Sequence, residues 1–455
     1  MTAARLPPRQ GALLVLAVAL VARVAVVAWA SVRFPAVDDG TYYDVLARRL
    51  ASGAGYTWLW PDGAVTYVAH YPVGYPAMLA LAYRLLGAAP SSAMIANALV
   101  GSLGAVAAYE LLEGRRGGWR PLAAGLAVAL HPALLPYTAA IMTEGVTASL
   151  WLVAAACASR ARRTPRPYGW IVASGLVMGA ATLVRPQSLV LAPVLGFLAV
   201  APDERAARVR FAHAAAVSAV ALACVAPWTA RNCERMHRCA LVSVNGGWNL
   251  LIGAQTKTGA YETLEVPPEC RTVWDEAGKD LCFERAARAA IAAAPLEWIS
   301  RAPAKLAASF DYFGAAPWYL HDSNAGAFSQ EAKIRLGAIE TVVCRLLLVG
   351  ALVVGGRRPG PRATSRKVLA LLGAVGAVTR HGWIGCVALV ACVAAVGRRG
   401  WADAPLVLPW TAAAIAATAT VHAVFFGAGR YGLVVAPLVA VLSFVAPQDS
   451  AARPG

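Results

Sequence analysis

Two adjacent carboxylates, Asp38 and Asp39, stand directly after an apolar stretch at residues 11–30 that contains no acidic residue. A carboxylate at the edge of a membrane lies in a lowered dielectric, which raises its proton affinity and suits a general base. The pair also precedes a helix that we predict to begin near Thr41, where an aspartate commonly caps the first turn. Catalysis or metal binding, and helix capping, are therefore both open.

Glu144 and Arg185 are the next charged candidates, and each adjoins an apolar run. A charged side chain at such a position is costly unless it has a partner or a task. Glu144, in the sequence IMTEG, either acts in the site or forms a salt bridge that positions a loop. Arg185, in LVRPQS, is a natural partner for this acid, or it holds an anionic ligand.

Polar and aromatic residues in two further stretches suit a sugar. His70 and Tyr71 open the sequence HYPVGYP, although a lone histidine is more often a satisfied polar residue. Asn245 and Asn249 flank Trp248 in SVNGGWNLLIG, and glycine-rich turns of this kind also occur in ordinary loops. Amide groups bind sugar hydroxyls, and an aromatic ring packs on the C–H face of a sugar.

Two arginines near the ends of apolar runs complete the set of candidates. Arg231 lies in APWTARN, and Arg430 lies with Tyr431 in FFGAGRYGLVVAP. Arginine and tyrosine both favour the membrane interface, so Arg430 and Tyr431 are either interfacial anchors or parts of a site. Arginine donates a fork of hydrogen bonds and stays charged, which suits the binding of a phosphate.

The composition shows what kind of fold must position these residues. Hydrophobic residues make up 59% of the 455-residue chain and charged residues only 14%. Backbone polar groups in lipid must be satisfied within their own segment, so the long apolar runs predict helices. We therefore predict an all-α polytopic membrane protein. Its first run is too long for a signal peptide, and we expect it to remain as the first span.

Hydropathy predicts about twelve transmembrane spans. They lie near residues 11–31, 91–112, 121–139, 145–158, 169–184, 187–201, 211–228, 334–355, 367–379, 383–397, 404–426 and 431–446. The net charge of +17 comes largely from basic clusters that follow even-numbered spans. These clusters therefore share the side of the N-terminus, which the positive-inside rule assigns to the cytoplasm, and no nucleic acid is needed to explain them.

The opposite, outer side carries two longer segments, and every candidate residue lies on this side. The first outer loop is residues 32–90, and the outer segment is residues 229–332. The predicted division is a transmembrane module (1–228), the outer segment as a loop domain, and C-terminal transmembrane helices (333–455). In the first outer loop we expect an amphipathic helix that ends at Gly53 and an apolar surface helix within residues 71–87.

Four of the nine cysteines lie in the outer segment, namely Cys233, Cys239, Cys270 and Cys282. An even number in an oxidising compartment indicates disulfides. Proximity favours Cys233–Cys239 and Cys270–Cys282, although the sequence leaves the other two pairings open. A zinc site is the weaker interpretation because no CxxC spacing is present.

The order of these motifs resembles the GT-C superfamily of bacterial integral membrane glycosyltransferases. The resemblance runs from about residue 10 to residue 446 and is nearest to the protein-mannosyltransferase-like branch that includes the lipid A aminoarabinose transferase. It rests on the first-loop acid pair, the turn YPVGYP, the TE at residues 143–144, the RP at residues 185–186, PWTARN, NGGWNLLIG and GRY followed by a proline.

The resemblance implies a polyprenyl-phosphate-linked sugar as donor and an inverting displacement at the anomeric carbon. Asp38, supported by Asp39 or with the two roles reversed, would be the general base, and Glu144 would match a family acid near it. Substrate-binding residues would be His70, Tyr71, Arg185, Arg231, Asn245, Asn249, Arg430 and Tyr431. The outer acids allow a divalent metal but do not require one. The acceptor, which is a lipid, a glycan or a protein, stays open.

Three other functions compete with this interpretation. A transporter or flippase of a lipid-linked or anionic substrate is expected to show internal repeats and charges near mid-bilayer, whereas the charged residues here gather at one face. An O-antigen ligase or polymerase is not expected to have an acid pair directly after the first span. A purely structural scaffold has no need for three acids and three arginines on one face.

Overall fold

The computed structural model describes residues 7–112, 119–200, 206–312, 314–358 and 360–446. Most of these residues are helical and one short hairpin is the only sheet among them, which confirms the predicted all-α fold. Four arginines of the predicted basic clusters, Arg5, Arg115, Arg116 and Arg205, lie outside the described residues, as does the C-terminal sequence PQDSAARPG.

The first half of the chain forms nine helices within the described residues. They are α1 (Pro8–Ala30), α2 (Asp39–Ala51), α3 (Gly74–Leu86), α4 (Pro90–Leu112), α5 (Arg120–Ala129), α6 (Glu144–Ala161), α7 (Tyr168–Val184), α8 (Ser188–Leu198) and α9 (Ala207–Arg235). Between α2 and α3, the antiparallel strands β1 (Thr57–Leu59) and β2 (Val65–Tyr67) form a hairpin. A 3-10 turn at Pro136–Ala139 precedes α6.

The second half begins with the outer segment and returns to long apolar helices. The outer segment contains α10 (Gly246–Gln255), α11 (Glu276–Ala293), α12 (Pro295–Ser300), α13 (Ala302–Phe310) and α14 (Ala315–Ser323), with a 3-10 turn at Pro268–Cys270. The helices that follow are α15 (Gln330–Gly356), α16 (Ala363–Thr379), α17 (Gly382–Asp403), α18 (Val407–Val424), α19 (Gly429–Gly432) and α20 (Ala436–Ser443).

Five helices of the described chain, α1, α4, α9, α15 and α18, are long and apolar enough to cross a membrane. Every other predicted span also coincides with a helix, but two predictions are wrong in extent. The span expected over residues 431–446 is divided into α19 and α20, because Pro437 lacks the backbone donor that a continuous helix needs. The span expected over residues 121–139 stops at Ala129, because Pro132 and Pro136 remove backbone donors and disfavour helical geometry in the preceding residues. The number of about twelve spans stays a prediction.

Close helix contacts are made possible by small residues. Helix α9 packs against α7 and α8, and α4 packs against α1 and α6. A Cβ atom at Gly179 would lie 2.6 Å from the Cβ of Cys224, and one at Gly196 would overlap the carbonyl oxygen of His213. Such close approach replaces the hydrophobic drive that lipid does not provide between helices.

The outer segment is stapled by the two expected disulfides. Cys233 is bonded to Cys239, and Cys270 is bonded to Cys282, so the predicted pairing is confirmed. The second disulfide joins the turn at Pro268–Cys270 to α11, beside an apolar cluster that contains Leu251 and Phe283. The outer segment therefore has a small core of its own, and the predicted division of the chain into three parts stays a prediction.

Candidate active site

Asp39, the first residue of α2, is held by two partners from distant parts of the chain. Its Oδ2 accepts a hydrogen bond from Nη2 of Arg430 at 2.7 Å, and its Oδ1 accepts one from the Tyr71 hydroxyl at 3.0 Å. Burial alone would raise the pKa of Asp39, but the charge of Arg430 and these hydrogen bonds outweigh it and lower the pKa. Asp39 is therefore an ionised carboxylate fixed in position.

Asp38, its neighbour, has the opposite character. The side chain is exposed and forms no capping hydrogen bond with α2 within the described residues, so the helix-capping interpretation is wrong for Asp38. Its φ of 49° lies in the left-handed region, which is uncommon for a residue other than glycine. Partial burial and the nearby charges of Asp322 and Asp39 raise the pKa of Asp38. It is thus accessible and has a raised proton affinity.

Glu144, the first residue of α6, is the most buried acid of this group, with 2% of its side chain exposed. Its Oε2 accepts a hydrogen bond from the Tyr137 hydroxyl at 2.8 Å. Its Oε1 lies 3.3 Å from Nη1 of Arg185 and 3.7 Å from Nε of Arg430. The predicted pairing of Glu144 with Arg185 is confirmed, and Arg430 lies between two carboxylates.

The connection between α18 and α20 carries Arg430, and glycines let it pass close to the outer segment. The N–H of Gly427 donates a hydrogen bond to the carbonyl of Gly259 at 2.8 Å. A Cβ atom at Gly427 would overlap the carbonyl oxygen of Lys305, and one at Gly253 would overlap that of Phe425. Only glycine leaves room for such approach between backbones, so the outer segment helps to fix Arg430.

Tyr431 supports both arginines of the cluster. The guanidinium carbons of Arg185 and Arg430 each lie 5.2 Å from the centre of its ring, which is within the range of a cation–π interaction. The His422 ring stacks on Tyr431 with centroids 4.2 Å apart. Tyr431 is one of the predicted residues, whereas nothing in the sequence distinguished His422 from other histidines in apolar helices.

Asp322 is a further residue that the sequence reasoning missed. The segment around it is tied to the turn after α1, since Asn324 donates to the carbonyl of Arg33 at 2.9 Å and Ser323 donates to that of Pro35 at 2.6 Å. These contacts bring Asp322 next to Asp38, where it raises the pKa of Asp38. The polar run HDSN (321–324) on the outer side was the available signal.

The aromatic candidates lie beside the carboxylates. The Tyr71 ring stacks on Tyr42 with centroids 5.2 Å apart and meets the His70 ring at 4.9 Å. The His70 ring in turn meets Trp248 of α10 at 5.4 Å. Tyr71, predicted only to bind substrate, therefore joins Asp39 to an aromatic row.

Three predicted residues have no contact in the described part of the chain that joins them to Asp39, Glu144 or Arg430. Arg231 donates to the carbonyls of Val68 and Tyr56, each at 2.9 Å, and so braces the first outer loop. Asn245 precedes α10 and accepts a hydrogen bond from Ser243 at 2.9 Å. Asn249 lies on α10 with a partly exposed side chain. Their roles toward a substrate stay predictions.

The acids of the site do not form a recognisable metal centre. Among the described residues, no group of three or more His, Cys, Asp or Glu side chains is arranged to hold a metal ion. The metal dependence that the sequence leaves open stays a prediction.

Residues 70–230 match the family described as dolichyl-phosphate-mannose-protein mannosyltransferase. This match confirms the predicted resemblance for that part of the chain. No curated protein sequence matches the chain.

Two solved structures illustrate what the chain path is similar to. Archaeal oligosaccharyltransferase AglB from Archaeoglobus fulgidus, solved with an inhibitory peptide and a dolichol-phosphate, is 15% identical, with a TM-score of 0.46 over 95% of this chain and 49% of that one. ArnT from Cupriavidus metallidurans, bound to undecaprenyl phosphate, is 17% identical, with a TM-score of 0.42 over 94% and 77%. The chain thus spans about half the length of AglB.

The close backbone contact at Gly427 predicts a specific sensitivity. In Gly427→Ala the added Cβ meets the carbonyl of Lys305, so the connection that carries Arg430 must move. Overpacking of this kind lowers the free energy of unfolding by about 1–3 kcal/mol. Gly246→Ala is the matched control, since no heavy atom lies within 4 Å of its added Cβ. Thermal unfolding in detergent checks both, and equal midpoints for the two variants would contradict the proposed packing.

Proposed function

We propose that the protein is an inverting glycosyltransferase that moves a sugar from a polyprenyl-phosphate donor to an acceptor at the outer face of the membrane. The observation that carries this proposal is the cluster in which Arg430 bridges Asp39 and Glu144 while Asp38 stays exposed beside it. The match of residues 70–230 to a mannosyltransferase family supports the same class of reaction.

The division between the two aspartates suggests the roles in the reaction. Asp39 is paired with Arg430 and Tyr71, so it is occupied in holding the site together. Asp38 is free to take the proton from an acceptor hydroxyl. The acceptor oxygen then attacks the anomeric carbon, the bond from that carbon to the phosphate oxygen breaks, and the polyprenyl phosphate leaves with the electron pair. Attack opposite the phosphate inverts the anomeric centre.

Arg430 and Arg185 are the groups that suit the leaving phosphate. Their charges are offset by Asp39 and Glu144, so the cluster is neutral before an anion arrives. Nη1 of Arg185 is buried and contacts Glu144 only as an ion pair at 3.3 Å, without a hydrogen bond of good geometry among the described residues. Cationic donors aimed at an oxygen that gains charge stabilise the transition state.

The cellular setting of the reaction follows from the topology prediction. The basic clusters favour an N-terminus in the cytoplasm, so the site would face the periplasm or exterior of a bacterial plasma membrane. The donor then presents its sugar phosphate in the outer leaflet. The transferred sugar is a hexose or a pentose, and the acceptor hydroxyl belongs to a lipid, a glycan or a protein.

A transfer assay tests this function. The purified protein in lipid nanodiscs is incubated with polyprenyl phosphates that carry labelled hexoses or pentoses, and sugar release to water or to an extract of membrane lipids and glycans is measured. Loss of a general base lowers such rates by about 10²–10⁴-fold, so we expect that loss for Asp38→Asn. Asp62→Asn, in the exposed hairpin turn, should match the wild type. Undiminished transfer by Asp38→Asn would refute the assignment of the base.

The pH dependence of transfer gives a separate test of Asp38. A general base works in its ionised form, so the rate should fall as the pH drops through the pKa of Asp38, which lies above its ordinary value. Asp322→Asn removes one cause of that raised pKa, and the acidic limb of the rate profile should move to lower pH. Asp62→Asn should leave the limb in place. A limb that Asp322→Asn leaves unmoved would exclude this coupling.

A further inference from the structure

The outer segment makes hydrogen bonds with the backbone of residues 68–71, shortly before α3. The carbonyl of Val68 accepts a hydrogen bond from Arg231 at 2.9 Å, and the carbonyl of Ala69 accepts one from the N–H of Val244 at 2.9 Å. The His70 side chain meets the Trp248 ring at 5.4 Å. Each of these contacts joins the first outer loop to the outer segment.

Glu276 binds two backbone N–H groups of this stretch. A single oxygen, Oε2, accepts hydrogen bonds from the N–H groups of both Ala69, at 2.6 Å, and His70, at 3.1 Å. Both N–H groups thus converge on one oxygen atom. The next residue is Tyr71, whose hydroxyl reaches Asp39. The side chain that reaches Asp39 therefore belongs to the residue directly after the two that Glu276 holds.

Helix α11, which begins with Glu276, is itself firmly anchored. The Cys270–Cys282 disulfide ties it to the preceding turn. One turn after Glu276, Asp280 accepts hydrogen bonds from the N–H of Trp248 at 3.0 Å and from Arg238 at 2.8 Å. A carboxylate on such a support fixes its partners, whereas one on a loose loop does not.

We propose that Glu276 is a positioning residue, which holds Ala69 and His70 so that Tyr71 donates its hydrogen bond to Asp39. The proposal deepens the glycosyltransferase function and rests on it, because Asp39 has a part in the reaction only if that function holds. On this proposal the outer segment is a component of the site. A molecule that binds α11 or displaces it changes the support of Asp39 without contacting Asp39.

The hydrogen bonds from the N–H groups of Ala69 and His70 to Glu276, called the clamp below, also depend on pH. Burial raises the pKa of Glu276 to about 7, although the N–H groups of Ala69 and His70 and the charge of Arg231 oppose this and Asp280 adds to it. The phenol of Tyr56 faces it from the first outer loop. When the clamp opens, a solvated Glu276 returns to an ordinary, lower pKa. Protonation therefore favours the closed clamp, and opening becomes easier as the pH rises through about 7.

Hydrogen exchange in the full chain, with no substrate present, tests the clamp. Protection of the amides of residues 69–70 is followed from pH 5.5 to 8.5 and corrected for intrinsic exchange. In the wild type, opening should increase by roughly 30-fold as the pH rises from 5.5 to just above 7, and it should level off at higher pH. Glu276→Ala should raise exchange at every pH. Glu276→Gln keeps a carbonyl acceptor, so protection should return while the pH dependence is lost. Glu269→Gln, at an exposed position, should behave as the wild type.

Transfer rates of the same variants separate this proposal from the function on which it rests. Glu276→Ala should lower kcat more than it changes KM for the donor, and Glu276→Gln should restore kcat. If the wild type transfers no sugar, the proposed function fails while hydrogen exchange still decides whether the clamp exists. Wild-type protection in Glu276→Ala, or an unchanged pH dependence in Glu276→Gln, would overturn the clamp. If Glu276→Ala does not fold, Glu276→Gln alone decides.

Discussion

The guanidinium of Arg430, placed between the carboxylates of Asp39 and Glu144, is the interaction on which the rest of the site depends. It joins the start of α2, the start of α6 and the connection after α18 at one point. Glu144 is buried, and a buried charge that loses its partner destabilises a fold by about 3–5 kcal/mol, so separating α6 from the arginines is costly. Asp39 and its neighbour Asp38 therefore differ. Asp39 is paired with Arg430, whereas Asp38 is exposed and has a raised pKa.

The helices provide a frame, and the chemistry lies on the connections between them. Prolines follow the end of α5, and the 3-10 turn there places Tyr137 beside Glu144. Glycines let residues 425–429 pass close to the outer segment, so that Arg430 reaches Asp39 and Glu144. The outer segment is part of this frame because it contacts both the Arg430 connection, through Gly259, and the Tyr71 segment, through Glu276. A site assembled in this way can respond to anything that binds the outer segment.

Hydropathy and charge were sufficient to predict the helices and to bring Asp38, Glu144, Arg185 and Arg430 to one side, because membrane topology follows from local composition. Short separation was also sufficient for the disulfide Cys270–Cys282. The pairing of Asp39, rather than Asp38, with Arg430 could not be predicted, since it depends on a partner at the other end of the chain. Asp322 and Glu276 could not be predicted for the same reason. It also explains why Arg231 is bonded to the first outer loop, although its sequence context led us to expect a substrate-binding residue.

The central claim is that Asp39 and Arg430 act as one unit in the site. A double-mutant cycle tests it directly: the rate of sugar release from the polyprenyl-phosphate donor is measured for Asp39→Asn, Arg430→Gln and the combined variant. Residues that act as a unit are strongly non-additive, so the combined loss should not exceed the larger single loss. Losses that multiply, as for independent residues, would contradict the claim.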